Sequence, residues 1–173
     1  MSNERDYLKE IEIKHNRIRK LLSLKKLEGL LLSKHSNFKW LSCGHLNDVI
    51  KNDDTSLVYL FTTAEKRYLI ATKSDANRVM TEELYGLGFE TILYNWYNQN
   101  VFDGIKKIVK TGKIGADFYN DLTVFTGIEI SELRSSLTEF EIVRYKKMCS
   151  EYSSIFTDFC KTVKPGMSEI EIA

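Results

Sequence analysis

A chain of 173 residues, 43% of them apolar, is long enough to bury the core of one domain. Lys and Arg number 25 against 24 Asp and Glu, and the net charge of +1 argues against a strongly basic nucleic-acid surface. The polar stretch Met1 to Asp6 leads into no apolar signal region, and no apolar run nears the ~20 residues of a membrane span, so a cytoplasmic protein without a membrane partner is expected.

Tyr7 to Leu27 reads as an opening helix, with Ile11, Ile18, Leu21 and Leu22 on one side and Lys and Arg on the other. His15 falls on the polar side and is expected at the surface. After Gly29, Leu30-Leu31-Leu32 suits a buried strand, and Ser36 or Asn37 is placed to cap a short helix carrying Phe38, Trp40 and Leu41. Asn47 to Thr55 is polar and acidic, hence a loop. Leu57 to Phe61 and Tyr68 to Ala71 are two strands across a short polar turn, an antiparallel hairpin.

Ser74 or Asp75 starts a helix through Leu84 that Gly86 and Gly88 end, and Phe89 to Tyr94 is the next strand. Trp96, in Tyr94 to Tyr97, belongs to an aromatic cluster best read as core or interface packing. Phe102 to Lys110 is an amphipathic helix with Ile105, Ile108 and Val109 inward, followed by a short strand at Gly112 to Ala116. Asn120 or Asp121 is expected to cap a helix holding Leu122 and Phe125, and Ile128 to Leu133 to form a last strand. Six strands alternating with helices, one hairpin among them, predict an α/β fold with a mixed, partly antiparallel sheet flanked by helices.

The final stretch is the most regular. Tyr145, Met148, Cys149, Tyr152, Ile155, Phe156, Phe159 and Val163 step by threes and fours, and Thr138 with Glu141 forms a capping box. A helix from Thr138 to Lys164 would run ~40 Å before Pro165-Gly166 ends it. Ser168 to Glu171 is a second capping box two residues before Ala173, which reads as a chain cut on entering a further domain; a frayed terminus is the alternative.

Recognisable chemistry is sparse. Gly112-Lys113 lacks the preceding glycine of a phosphate loop, and Ile114 stands where a magnesium-binding Ser or Thr is needed. Gly86, Gly88 and Gly104 do not space as a dinucleotide fingerprint, and there is no G-x-S-x-G elbow. Cys43, Cys149 and Cys160 have neither C-x-x-C spacing nor a histidine at ligand distance, so buried thiols are expected. His35 and His45 flank Asn37 to Gly44, and with Cys43 they outline at most a thiol-dependent enzyme.

Asn37 to Gly44 resembles the N-F-x-W-L-T-G-G segment of the N-terminal domain of creatinase/prolidase-type (Xaa-Pro) peptidases. The likeness continues through the hairpin, Asp75 to Arg78, Glu82 to Leu84 and Tyr94 to Trp96. Leu133-Arg134 with Glu141-Ile142 is similar to the family's approach to its linker helix, and Lys164 to Glu169 to the K-P-G-M-T-E before its catalytic domain. Ser42 and Cys43 stand where Thr and Gly are usual, and Leu137 where the family has lysine.

The resemblance implies a ribonuclease H-like mixed-sheet domain over residues 1–137. Residues 138–173 would then be a linker helix and the truncated start of a pita-bread metallopeptidase domain. That domain, absent here, would hold two divalent metals (manganese, cobalt or zinc) on an Asp, Asp, His, Glu, Glu series. This chain cannot supply the series, since its last histidine is His45 and the only aspartate before it is Asp6. No catalytic or metal-binding residue and no cofactor is therefore expected in the chain itself. The partners implied are its own catalytic domain and a second copy in a homodimer, with Asn37, Trp40 and His45 as candidate substrate-entrance residues. In a different class stands a free-standing α/β binding module.

Overall fold

The computed structural model describes residues 4–47, 53–110 and 112–172. It comprises two compact units, Met1–Ser136 and Leu137–Ala173.

In the first unit, helix α1 (Glu4–Lys25) leads into strand β1 (Gly29–Lys34), helix α2 (His35–Leu41) and the hairpin β2 (Thr55–Thr62) and β3 (Arg67–Thr72). Helix α3 (Lys73–Arg78) runs into a π turn at Val79–Glu83, closed by Leu84 N–H donating to Val79 O at 2.9 Å. Strand β4 (Phe89–Tyr94), helix α4 (Val101–Ile105), strands β5 (Ile114–Ala116) and β6 (Val124–Phe125) and helix α5 (Gly127–Ser135) complete the unit. Part of the expected loop, residues 48–52, lies outside the described residues.

The six strands form one sheet in the order β4-β3-β2-β1-β5-β6. β2 pairs antiparallel with both β1 and β3, while the β3/β4, β1/β5 and β5/β6 pairs are parallel. Every strand except β2 therefore points the same way, and the carboxyl ends of β1 and β5 lie side by side.

Alternation along the strands divides the core into two layers. Leu30, Leu32, Leu60 and Leu69 face one side, where Ile11, Ile18, Leu21 and Leu22 of α1, Phe38 and Trp40 of α2 and Ile130 of α5 cover them. Leu31, Phe61 and Ile70 face the other, against Val101 and Ile105 of α4 and Val109 after it. Burial of each such side chain contributes roughly 1.5–3 kcal/mol, so the one-residue step between Leu30 and Leu31 fastens helices to both faces. α4 comes close because Gly104 lies against the sheet: a Cβ there would stand 3.0 Å from Ile92 Cγ2.

The mixed sheet of six strands agrees with expectation, but its last strand does not. Residues 120–125 form a turn and β6, and residues 127–135 form a helix in place of the expected strand. Ile130 and Leu133 are three apart, and that spacing turns both onto the core while Ile128 remains 68% exposed. The amphipathic helix expected at Phe102 to Lys110 is shorter, and Asn100 caps α4 in a capping box with Asp103.

His15 is buried, not superficial. Its Nε2 lies 2.8 Å from the Thr63 carbonyl and Nδ1 3.0 Å from Arg67 Nη1. Arginine is always a donor, so Nδ1 accepts and Nε2–H donates to Thr63, which fixes the neutral tautomer.

The second unit is helix α6 (Glu139–Thr162) with the short α7 (Glu169–Ile172). Thr138 and Glu141 make the expected capping box. Cys149 and Cys160 are exposed, contrary to their reading as buried thiols, because the apolar stripe that carries them is itself open: Tyr152, Ile155 and Phe156 are exposed. At Ser168 the backbone N–H donates to Glu171 Oε2 at 2.8 Å, the reach-back half of the second capping box. No helix among the described residues is long and apolar enough to cross a membrane.

Candidate functional site

The carboxyl ends of β1 and β5 meet at Asp117, which directly follows β5. Its carboxylate is buried and accepts five hydrogen bonds. Ser33 donates its N–H to both oxygens (2.8 and 3.1 Å) and its hydroxyl to Oδ1 (2.9 Å); Lys34 N–H and Asn37 Nδ2 reach Oδ2 at 3.0 and 2.7 Å. An ionised carboxylate is an acceptor only, so it matches this ring of donors. Burial raises the Tyr59 phenol above its ordinary range and the negative charge of Asp117 raises it further.

Asn37 has one amide end on Asp117, and its Oδ1 accepts from Arg134 Nη1 at 2.9 Å, a nitrogen that also donates to Ser36 Oγ at 3.2 Å. The chain Asp117–Asn37–Arg134 thus ties the end of β5 to α2 and α5. Asn37 and Ser36 are not the caps of α2: the residue before the helix is Lys34, and it makes no side-chain cap bond. A carboxylate on the neighbouring strand claims the Asn37 side chain instead.

The three expected entrance residues do not converge. Asn37 lines a surface cavity of about 420 Å³ beside Asp117 and Arg134. Trp40 points into the core, 6% exposed, and its carbonyl accepts from the buried Lys14 Nζ at 2.6 Å, which also pairs with Glu10 at 2.6 Å. His45 is half-buried with its ring 5.5 Å from that of Tyr7 on α1.

Between them α2 ends in a Schellman motif. Gly44 N–H donates to Lys39 O (2.7 Å) and Cys43 N–H to Trp40 O (3.2 Å). This closure puts Cys43 in the left-handed region at φ 62, a conformation that favours glycine. The thiol is buried, with Sγ 3.8 Å from the Tyr7 carbonyl.

Trp96 and Tyr97 are exposed and meet edge to face, with ring centroids 5.9 Å apart. No group of three or more His, Cys, Asp or Glu able to hold a metal occurs among the described residues. The carboxylates at hand do not fit a metal pair: Asp117 is ringed by donors, and a cation would have to displace them.

Sequence reasoning missed Asp117, Ser33 and Lys34. A carboxylate directly after the glycine-containing strand Ile114–Ala116 was the only local signal, and the partners stand more than 80 positions away in sequence.

The sequence profile described as the Creatinase/Prolidase N-terminal domain matches residues 14–151. Among solved structures the chain resembles a Xaa-Pro dipeptidase from Bacillus anthracis, with 17% identity, TM-score 0.67 and coverage of 94% of this chain and 46% of that one. A dipeptidase from Pyrococcus horikoshii OT3 has 19% identity, TM-score 0.64 and coverage of 92% and 47%. A recombinant prolidase from Thermococcus sibiricus has 24% identity, TM-score 0.60 and coverage of 92% and 46%. The chain spans about half the length of these proteins. No match was found among curated proteins. With the profile extending from α1 into α6, the chain belongs to the creatinase/prolidase N-terminal domain family.

Proposed function

We propose that this chain is the non-catalytic N-terminal domain of a Xaa-Pro metallopeptidase, followed in the parent protein by a catalytic domain holding two divalent metals. The observation that carries the reading is the family match over residues 14–151, joined to a fold shared with half of each of several dipeptidases. Among the described residues nothing assembles a metal site, so hydrolysis would rest on ligands beyond Ala173.

The domain's part is to shape the entrance to that site. In α/β folds ligands gather at the carboxyl ends of parallel strands, and the segment from Asn37 to His45 follows β1 at that end. Asn37 holds the segment to β5, Trp40 anchors it in the core, and His45 presents an imidazole ring at its far end. A cytoplasmic homodimer is part of the same reading.

The test is the full reading frame, expressed and assayed on Xaa-Pro dipeptides with manganese, cobalt or zinc. The frame should encode a downstream Asp, Asp, His, Glu, Glu series, and metal-dependent cleavage should be abolished by a chelator. The 173-residue chain alone should not cleave. In the full protein His45→Ala should raise KM or lower kcat with the melting temperature unchanged. A stop codon after Ala173 would overturn the parentage, and unaltered kinetics would remove His45 from the entrance.

A further inference from the structure

The cavity beside Asp117 has features that the entrance reading does not use. Its volume of about 420 Å³ lies within the ~300–1,000 Å³ range of small-molecule sites. Lys34 and Arg134 supply two cations, Ser36 and Ser131 two hydroxyls, and Phe125 and Ile128 an apolar wall. Arg134 is half-buried and, among the described residues, makes its hydrogen bonds through Nη1 alone, which leaves Nη2 and Nε for a ligand. Among the described residues the Lys34 ammonium has only a long contact to the exposed Asp54, at 3.6 Å.

The start of α5 also lines this cavity at Gly127 and Ile128. Thr126 precedes the helix but spends its hydroxyl on the Ala116 carbonyl, 3.1 Å away, so the first amides of α5 have no side-chain cap. Uncapped helix amides favour an anion. The negative charges at hand are Asp54, on the solvent side, and Asp117, ringed by its own donors. Among the described lining residues two cations stand against two carboxylates, so beyond the helix amides there is no excess positive charge to hold a phosphate dianion.

We propose that this cavity binds a small monocarboxylate with an apolar body. The carboxylate is taken by the free edge of Arg134, with Lys34 and the first amides of α5, and the body lies on Phe125 and Ile128. A planar guanidinium edge pairs with a carboxylate through two parallel hydrogen bonds. The proposal concerns this chain alone and stands whether or not a peptidase domain follows it.

The experiment is an amide-resolved NMR titration of the 173-residue chain with 4-methylpentanoate, its neutral amide 4-methylpentanamide, and inorganic phosphate. The acid should give saturable shifts at Gly127, Ile128 and Ser131 in the millimolar range. The amide and phosphate should bind at least about tenfold more weakly, the scale of one charge-assisted hydrogen bond. Arg134→Gln should abolish binding, but it also releases Asn37 and Ser36.

Ile128→Glu is therefore the cleaner variant. Ile128 is exposed, and a carboxylate at the second position of α5 suits the helix start, so the fold should keep its melting temperature while the tethered anion blocks the site. Equal shifts from acid and amide, preferential binding of phosphate, the absence of saturable shifts, or undiminished binding by folded Ile128→Glu would each overturn the proposal.

Discussion

Replacing Asp117 by alanine removes the acceptor for Ser33 N–H, Ser33 Oγ, Lys34 N–H and Asn37 Nδ2 in one step. Ser33 and Asn37 are both buried, so three of these donors lose a charged partner away from bulk water. Hydrogen bonds to charged groups are worth roughly 1.5–3 kcal/mol each, but donors on one carboxylate do not add independently. The neighbouring cavity can also admit water to the gap. The expected loss is about 3–4 kcal/mol.

Asp117→Asn keeps the shape but turns an NH2 toward donors, and should cost about 2 kcal/mol. Urea unfolding monitored by circular dichroism measures both, with a lower midpoint at unchanged slope. A double-mutant cycle with Asn37→Ala should return a coupling of about 1–3 kcal/mol. If Asp117→Ala lies within about 1 kcal/mol of the parent, the carboxylate does not tie β1 to β5 and the account of the site fails.

Three further outcomes follow from individual side chains. Cys43→Gly relieves a left-handed residue but gives up a buried thiol, so its stability should stay within about 1 kcal/mol of the parent, whereas Cys43→Val places a branched Cβ at φ 62 and should cost about 2 kcal/mol or more in urea titrations. Trp40 Nε1 is buried with no hydrogen-bond partner among the described residues; Trp40→Phe deletes that donor and should cost about 1 kcal/mol or less, against roughly 3–5 kcal/mol for Trp40→Ala by thermal melting. Burial, seconded by the Arg67 charge and opposed by the Thr63 carbonyl, lowers the His15 pKa below its unfolded value of about 6.5. The unfolded chain therefore binds the extra proton first: the contribution is intact above about pH 6.5 and is lost as pH falls toward the folded pKa, and His15→Gln should flatten that stretch of a stability–pH profile.

The parts of the fold legible in the sequence are those where one periodicity had no rival. Helix α6 carries threes and fours over about five turns and opens with a capping box, and the run Leu30 to Leu32 is too short and apolar for anything but a buried strand. Near the end of the first unit two periods compete. Ile128 and Ile130 alternate as in a strand, while Ile130 and Leu133 fit a helix, and packing decides: only the helix buries Ile130 against the α1 face of the sheet. His15 departs from its expected surface position for a similar reason. A polar residue on the charged side of an amphipathic helix belongs in water unless another element covers it, and the covering comes from Thr63 and Arg67, 48 and 52 positions away.

The site was less legible than the fold because its residues are joined by topology, not by spacing. Asn37 stood out through its family-like segment, yet the capping role that its position suggests is overridden by Asp117, which becomes its neighbour only when β5 pairs in parallel with β1. The same segment carries a second lesson. Cys43 stands where glycine is usual in the segment that Asn37 to Gly44 resembles. The Schellman closure forms all the same, because two backbone hydrogen bonds at 2.7 and 3.2 Å and burial of the thiol hold a non-glycine residue at φ 62. A conformation that costs about 1–2 kcal/mol locally is kept where the core gains a comparable amount from the side chain that imposes it.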